Sequence, residues 1–267
     1  MPVVDAGGTR LSYERAGSGP PLLLIMGMSG TTLSWGEPFV GALRGDFETV
    51  VYDHRGVGES SPMEEPFTIA QLAEDAAGLM DALELDAAHV MGISMGGMVA
   101  QELALAHPER IETLTLGCTY CGGEGSLLTS PEVIQRLAES MTSGDRERAL
   151  RTAWEVNVSA AYAADAEAYA AFVERGKQRA VAVPVIMAQM QAIMAHDTQA
   201  RLSQLTMPTQ IAHGTDDLML PVGNAHLMVE QMPDAGLEIF EGVGHLFFWE
   251  EPERSAQLVR EHVTTHA

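Results

Sequence analysis

Gly92-Ile93-Ser94-Met95-Gly96-Gly97 lies between a strand-like run, His89-Val90-Met91, and a segment with helical spacing, Met95 to Ala106. In that setting the G-x-S-x-G pattern reads as a sharp, strained strand-to-helix turn carrying an exposed serine, with glycines where a side chain would meet neighbouring backbone. The helix that follows points its first amides towards the serine and favours negative charge there. Ser94 is therefore the candidate nucleophile. A serine hydroxyl needs a base to take its proton, so a histidine must lie close to it in space.

Outward from this turn, strand-like and helix-like segments alternate, which argues for a mostly parallel sheet covered by helices. Val3-Val4 and Leu11-Ser12-Tyr13 flank Gly7-Gly8 and read as a hairpin. Leu22 to Met26 is an apolar run suited to a strand buried on both faces, and Thr49 to Tyr52 is the next strand. Helical spacing runs from Thr68, a candidate N-cap, to Leu85. Ile111 to Leu116 is a further strand. From about Gly122 to Gln204 the chain reads as helices rich in alanine and charge, and strands return at Thr209 to Ala212 and Leu237 to Phe240. The expected α/β architecture is an eight-stranded, mostly parallel sheet flanked by helices. Residues 1–121 and 205–267 form its core, and 122–204 form a helical cap inserted after the sixth strand, over the C-terminal sheet edge where ligands bind.

Of the nine histidines, His245 is the best placed base, in Gly242-Val243-Gly244-His245 just after the last strand. His89 and His107 read as structural, His213 as partly buried, and His54, beside Asp53, as a supporting group. The acid that orients the imidazole should follow the penultimate strand, where Asp216 and Asp217 are both available and position alone does not choose.

The chain has 267 residues with 15 basic and 37 acidic side chains, a formal charge of −22. Such a surface repels nucleic acid and anionic lipid. No stretch approaches the ~20 apolar residues of a membrane-spanning helix, and Met1-Pro2-Val3-Val4-Asp5 lacks the basic start and apolar run of a secretory leader. The expectation is a cytoplasmic protein acting on a small molecule, with no nucleic-acid or membrane partner and a homodimer allowed. Cys118 and Cys121 have C-x-x-C spacing, but zinc needs about four ligands, so they read as free or structural thiols. No metal and no organic cofactor is implied.

With these residues in view, the chain resembles the α/β-hydrolase fold superfamily over nearly its whole length. Asp53-His54-Arg55-Gly56-Val57-Gly58-Glu59-Ser60 resembles the D-x-R-G-x-G-x-S turn of that superfamily, and Gly244-His245 with Glu250-Glu251-Pro252-Glu253 resembles its G-H…E-x-P-E ending. The order Ser94, Asp217, His245 matches its triad order. Its G-x-x-D-x-x-x-P spacing selects Asp217 as the acid, with Asp216 in reserve. Relatives usually carry His-Gly at the oxyanion loop, whereas this chain has Met26-Gly27-Met28. Methionine variants occur among anthracycline methylesterase-like and enol-lactonase-like members. By the same resemblance the oxyanion donors are the backbone amides of Met28 and Met95. The serine argues against epoxide hydrolases and haloalkane dehalogenases, which use aspartate.

The implied activity is hydrolysis of a small or medium carboxylic ester. Alternatives are a lactonase (enol-lactone or acyl-homoserine lactone), a perhydrolase or cofactor-free haloperoxidase, and a non-catalytic receptor. Trp35, Trp154, Met187, Met190, Met194 and Phe247 are the candidate pocket residues, against a competing reading as packing. Arg136, Arg146, Arg148, Arg151, Arg175, Lys177 and Arg179 alternate with acids in the cap, which reads as a solvated face rather than a carboxylate-binding patch.

Overall fold

Gly7 and Gly8, with φ of 71° and 101°, make a two-residue turn of the kind that closes a tight hairpin. In the computed structural model, which describes residues 1–266, this turn joins β1 (Val3–Ala6) to β2 (Thr9–Gly17). The chain continues through β3 (Pro21–Ile25), α1 (Glu37–Leu43), β4 (Glu48–Tyr52), α2 (Ile69–Ala82), β5 (Ala88–Ile93), α3 (Met95–Ala106) and β6 (Ile111–Gly117). Next come α4 (Pro131–Thr142), α5 (Arg146–Asn157), α6 (Ala160–Ala163), α7 (Ala166–Gln178) and α8 (Val183–Met194), with no intervening strand among the described residues. β7 (Thr209–Gly214), α9 (Gly223–Val229), β8 (Ala235–Phe240), α10 (Phe247–Glu250) and α11 (Pro252–His266) complete it.

The eight strands form one sheet in the order β1-β2-β4-β3-β5-β6-β7-β8. β1, β2 and β4 pair antiparallel, and every pair from β4 onwards is parallel. β2 is longer than its alternation suggests because Thr9 to Ser12 pair with β1 and Tyr13 to Gly17 pair with β4. Successive side chains of a strand face opposite ways, so each central strand serves two cores. Leu22, Leu24 and Val51 pack with α1 and α11, whereas Leu23, Ile25 and Val50 pack with α2 and α3.

Thr68 caps α2 as expected, accepting from the Gln71 amide while Gln71 Oε1 accepts from the Thr68 amide. The helix ends at Ala82, short of Leu85, because Glu84 turns left-handed (φ 57°) and the Leu85 amide bonds back to Met80 O. The insertion between β6 and β7 closes on itself. Gly122 bridges Asp197, and the Thr198 amide donates to Cys121 O at 2.8 Å. Among the described residues, no helix is long and apolar enough to cross a membrane.

Candidate active site

The turn between β5 and α3 is held by backbone crowding. Ser94 has φ 52° and ψ −124°, a conformation that costs energy for any residue with a Cβ. A Cβ at Gly92 would collide with Gly96 O, and one at Gly96 would collide with Ile25 O. The two glycines therefore let α3 start directly against the end of β3. The Ser94 amide donates to Gly117 O at 2.9 Å, and Thr119 Oγ1 donates to Ser94 O at 2.7 Å, so β6 grips the turn from its other side. Met95 is the first residue of α3, and its amide has no acceptor within the helix.

His245 lies in the loop after β8. Its Nδ1 donates to Asp217 Oδ2 at 2.7 Å, which leaves Nε2 with the lone pair that a serine proton requires. Asp217 is buried, whereas Asp216 is exposed. The Asp217 carboxylate is fully engaged. Oδ1 accepts from the Met219 and Leu220 amides at 2.8 and 2.9 Å, and Oδ2 also faces His213 Nε2 at 3.0 Å. Burial alone would raise its pKa, but His245 and His213 outweigh that and bring it down to about 2. For His245, burial opposes the charged form, yet the adjoining Asp217 carboxylate, with Cys118 beside the ring, carries the imidazole well above its ordinary value.

The loop after β3 completes the site. His54 Nε2 donates to Met26 O at 2.9 Å, and Gln189 Oε1 on α8 accepts from the Ser29 amide at 2.9 Å. Gly27 fits against Ser94, since a Cβ there would stand 3.1 Å from Ser94 Cβ. Met26 is buried in the cluster formed with Leu24 and Ile93, and Met28 is half-buried at the cavity edge. Glu250 ties the histidine loop to the insertion: its Oε1 accepts from the Gly244 and Ser159 amides, both at 2.8 Å. The Leu246 amide donates to Asn157 O at 2.8 Å.

Ser94, His245, Gly27 and Met28 share one cavity of about 240 Å³, roofed by residues of α5 and α7 and by Trp249. None of the six expected pocket residues lines it. Trp35 stacks on Phe39 and meets Phe248 at a tilt in the core, and Phe247 packs against Phe240 and Gly117. Trp154 is wholly buried inside the insertion, touching Phe172 and Trp249. Large aromatic side chains gain most from complete burial, and the packing reading holds for all three. Met187, Met190 and Met194 are 55%, 42% and 66% exposed on the outer face of α8, because its inner face carries Val185, Ala188, Gln189 and Ala192 instead.

The solvated-face reading of the basic residues between β6 and β7 divides. Arg136 and Arg151 pair with Glu155, and Arg148 with Glu139. Arg175 and Arg179, however, line the cavity. His213, Gln189 and Glu250 are supports that residue-by-residue reading left unassigned. For His213 a signal was present, since it stands four residues before Asp217 and both close the same turn. Cys118 and Cys121 are free and buried.

Residues 20–146 match the family described as alpha/beta hydrolase fold. RutD of Azorhizobium caulinodans, a proposed carbamate hydrolase, is 31% identical over 255 residues, 92% of each chain. The enol-lactonase from Burkholderia xenovorans superposes with a TM-score of 0.85 at 27% identity, over 98% of this chain and 100% of that one. An N-acyl homoserine lactone degrading enzyme, Est816, superposes with a TM-score of 0.79 at 27% identity, over 97% and 99% of the two chains.

Proposed function

This chain belongs to the alpha/beta-hydrolase fold family, and on that premise we propose that it is a serine hydrolase of small or medium carboxylic esters. The observation that carries the reading is the pairing of a strained Ser94 with a His245–Asp217 couple around one cavity. His245 Nε2 takes the Ser94 proton as Oγ attacks the ester carbonyl. The Met28 and Met95 amides receive the oxyanion, and His245 returns the proton to the departing alcohol. Water, activated by the same imidazole, then releases the acid. Residues 122–204 act as the cap over this site.

Hydrolysis of a lactone is the second reading, favoured by the similarity to two lactone-cleaving enzymes. The same attack opens a ring instead of expelling an alcohol. A chain-length panel of p-nitrophenyl esters assayed beside simple lactones ranks the two. Intact-mass measurement after treatment with a p-nitrophenyl alkylphosphonate should show one adduct, and peptide mapping should place it on Ser94. An adduct that persists in Ser94→Ala would sink the nucleophile assignment.

A further inference from the structure

The cavity wall inverts the charge of the protein. The chain carries −22 overall, yet the described residues that line the cavity include two arginines and no carboxylate side chain. The two arginines differ in how they are engaged. Arg179 is committed to the fold, with Nη1 at 3.0 Å from the buried Asp53 Oδ2 and 3.2 Å from Thr32 Oγ1. Arg175 is held without being neutralised. Its guanidinium carbon sits 4.3 Å over the centre of the Trp249 ring. Nη1 lies beside Gly36, where a Cβ would be only 3.2 Å away. The Trp249 indole is itself fixed by donating to Ser34 O at 2.8 Å. Among the described residues the Arg175 guanidinium makes no hydrogen bond or ion pair, and burial lowers its pKa from the ordinary arginine value. The neighbouring acid Glu37 is bonded to Arg44.

A half-buried, oriented and unpaired guanidinium that shares a cavity with Ser94 is poised for an anion. We propose that Arg175 is the subsite for a free carboxylate on the substrate, so that the preferred substrates are half-esters of small dicarboxylic acids or lactones bearing a carboxyl group. A single planar fork matches the two oxygens of a carboxylate, and Trp249 beneath it excludes water from one face. This inference rests on the hydrolase reading of Ser94, and it extends that reading to substrate class.

The test compares p-nitrophenyl hemiglutarate with p-nitrophenyl pentanoate, its uncharged counterpart, in wild type, Arg175→Met and Arg175→Lys. The wild type should favour the charged ester. Arg175→Met should lower the charged-to-neutral ratio of kcat/KM by about ten- to a hundredfold, mainly through KM, and Arg175→Lys should restore part of it. Calorimetric binding of glutarate to Ser94→Ala, with and without Arg175→Met, gives a readout free of turnover. Glutarate binding that disappears with Arg175, alongside failure to cleave either ester, keeps the subsite and removes the hydrolase reading. Cleavage of the neutral ester with a ratio unmoved by Arg175→Met does the reverse. Glutarate affinity that is equal in both backgrounds overturns the subsite outright, as does a ratio lost equally in the Lys and Met variants.

Discussion

The turn at Ser94 and the roof of the cavity are built by opposite means. At the turn, three strands and a helix meet backbone to backbone, and the glycines at 92 and 96 are required because Gly96 O and Ile25 O occupy the space of a side chain. The roof is made of side chains from α5, α7 and the segment after His245, brought together by tertiary packing around the buried Trp154. Local crowding leaves a short, spaced signature in the chain. Packing between helices does not, because many side-chain sets can fill one volume. The lower half of the site should therefore fail abruptly on substitution and the upper half gradually.

The sharpest break is Ser94→Ala. Losing the hydroxyl proposed as nucleophile should cost on the order of 10⁴–10⁶ in kcat while circular dichroism stays unchanged. More than a few per cent residual activity in uncontaminated protein defeats the assignment. Next comes the acid. Asp217→Asn should cost about 10⁴ in kcat, because the imidazole loses the acceptor on Nδ1. Asp216→Asn, on an exposed side chain, should change kcat by less than about threefold. If the second variant proves the more damaged, the two aspartates exchange roles.

Smaller effects separate backbone from side chain within the loop after β3. Gly27→Val should lose ~10²–10³ in rate, since the added carbons press on Ser94 and displace the Met28 amide. Met26→Leu keeps the buried volume and should stay within about tenfold, with under ~1.5 kcal/mol of stability lost. Equal damage in both would give the Met26 side chain a part in the chemistry.

The pH profile follows from the direction of the His245 shift. The imidazole must be neutral to accept a proton, and Asp217 holds its pKa well above 6.5. The rate therefore falls about tenfold per unit as pH drops below that raised value, placing the acid limb of kcat/KM above pH 6.5. An acid limb at or below 6.5 would show that the carboxylate does not control the imidazole. Least of all should matter the outer face of α8. Met194→Gln, at a position 66% exposed, should shift stability by no more than about 0.5 kcal/mol and leave kcat/KM within about twofold. A large loss there would move the substrate site to that face.

The same division governs what the sequence makes legible. Strand alternation, the Thr68 cap and the Gly-x-Ser-x-Gly turn are encoded within a few residues, and each is where the spacing places it. Asp217 needed a family spacing, because two adjacent carboxylates differ only in which one the turn at Gly214 directs inward. The pocket was illegible. Trp154 and the α8 methionines carry the right chemistry for a binding wall, but helix rotation sets one inside the insertion and the others in solvent. Arg175 was hidden for the same reason, since a charge on an amphipathic helix reads as solvated until a neighbour such as Trp249 covers it.

The bridge between Gly122 and Asp197 has a separate consequence. The chain leaves and rejoins the core at one spot, so everything between is a single closed loop whose ends meet there, with the Ser159–Glu250 and Ser29–Gln189 bonds pinning it further along. The entropy of closing such a loop grows only with the logarithm of its length, roughly 0.6 kcal/mol for each doubling. Residues can therefore be added to or removed from this loop at small closure cost, while the sheet beneath keeps its register. The length of the roof is thermodynamically free to vary in this architecture, whereas the turn at Ser94, fitted against Gly96 O and Ile25 O, is not.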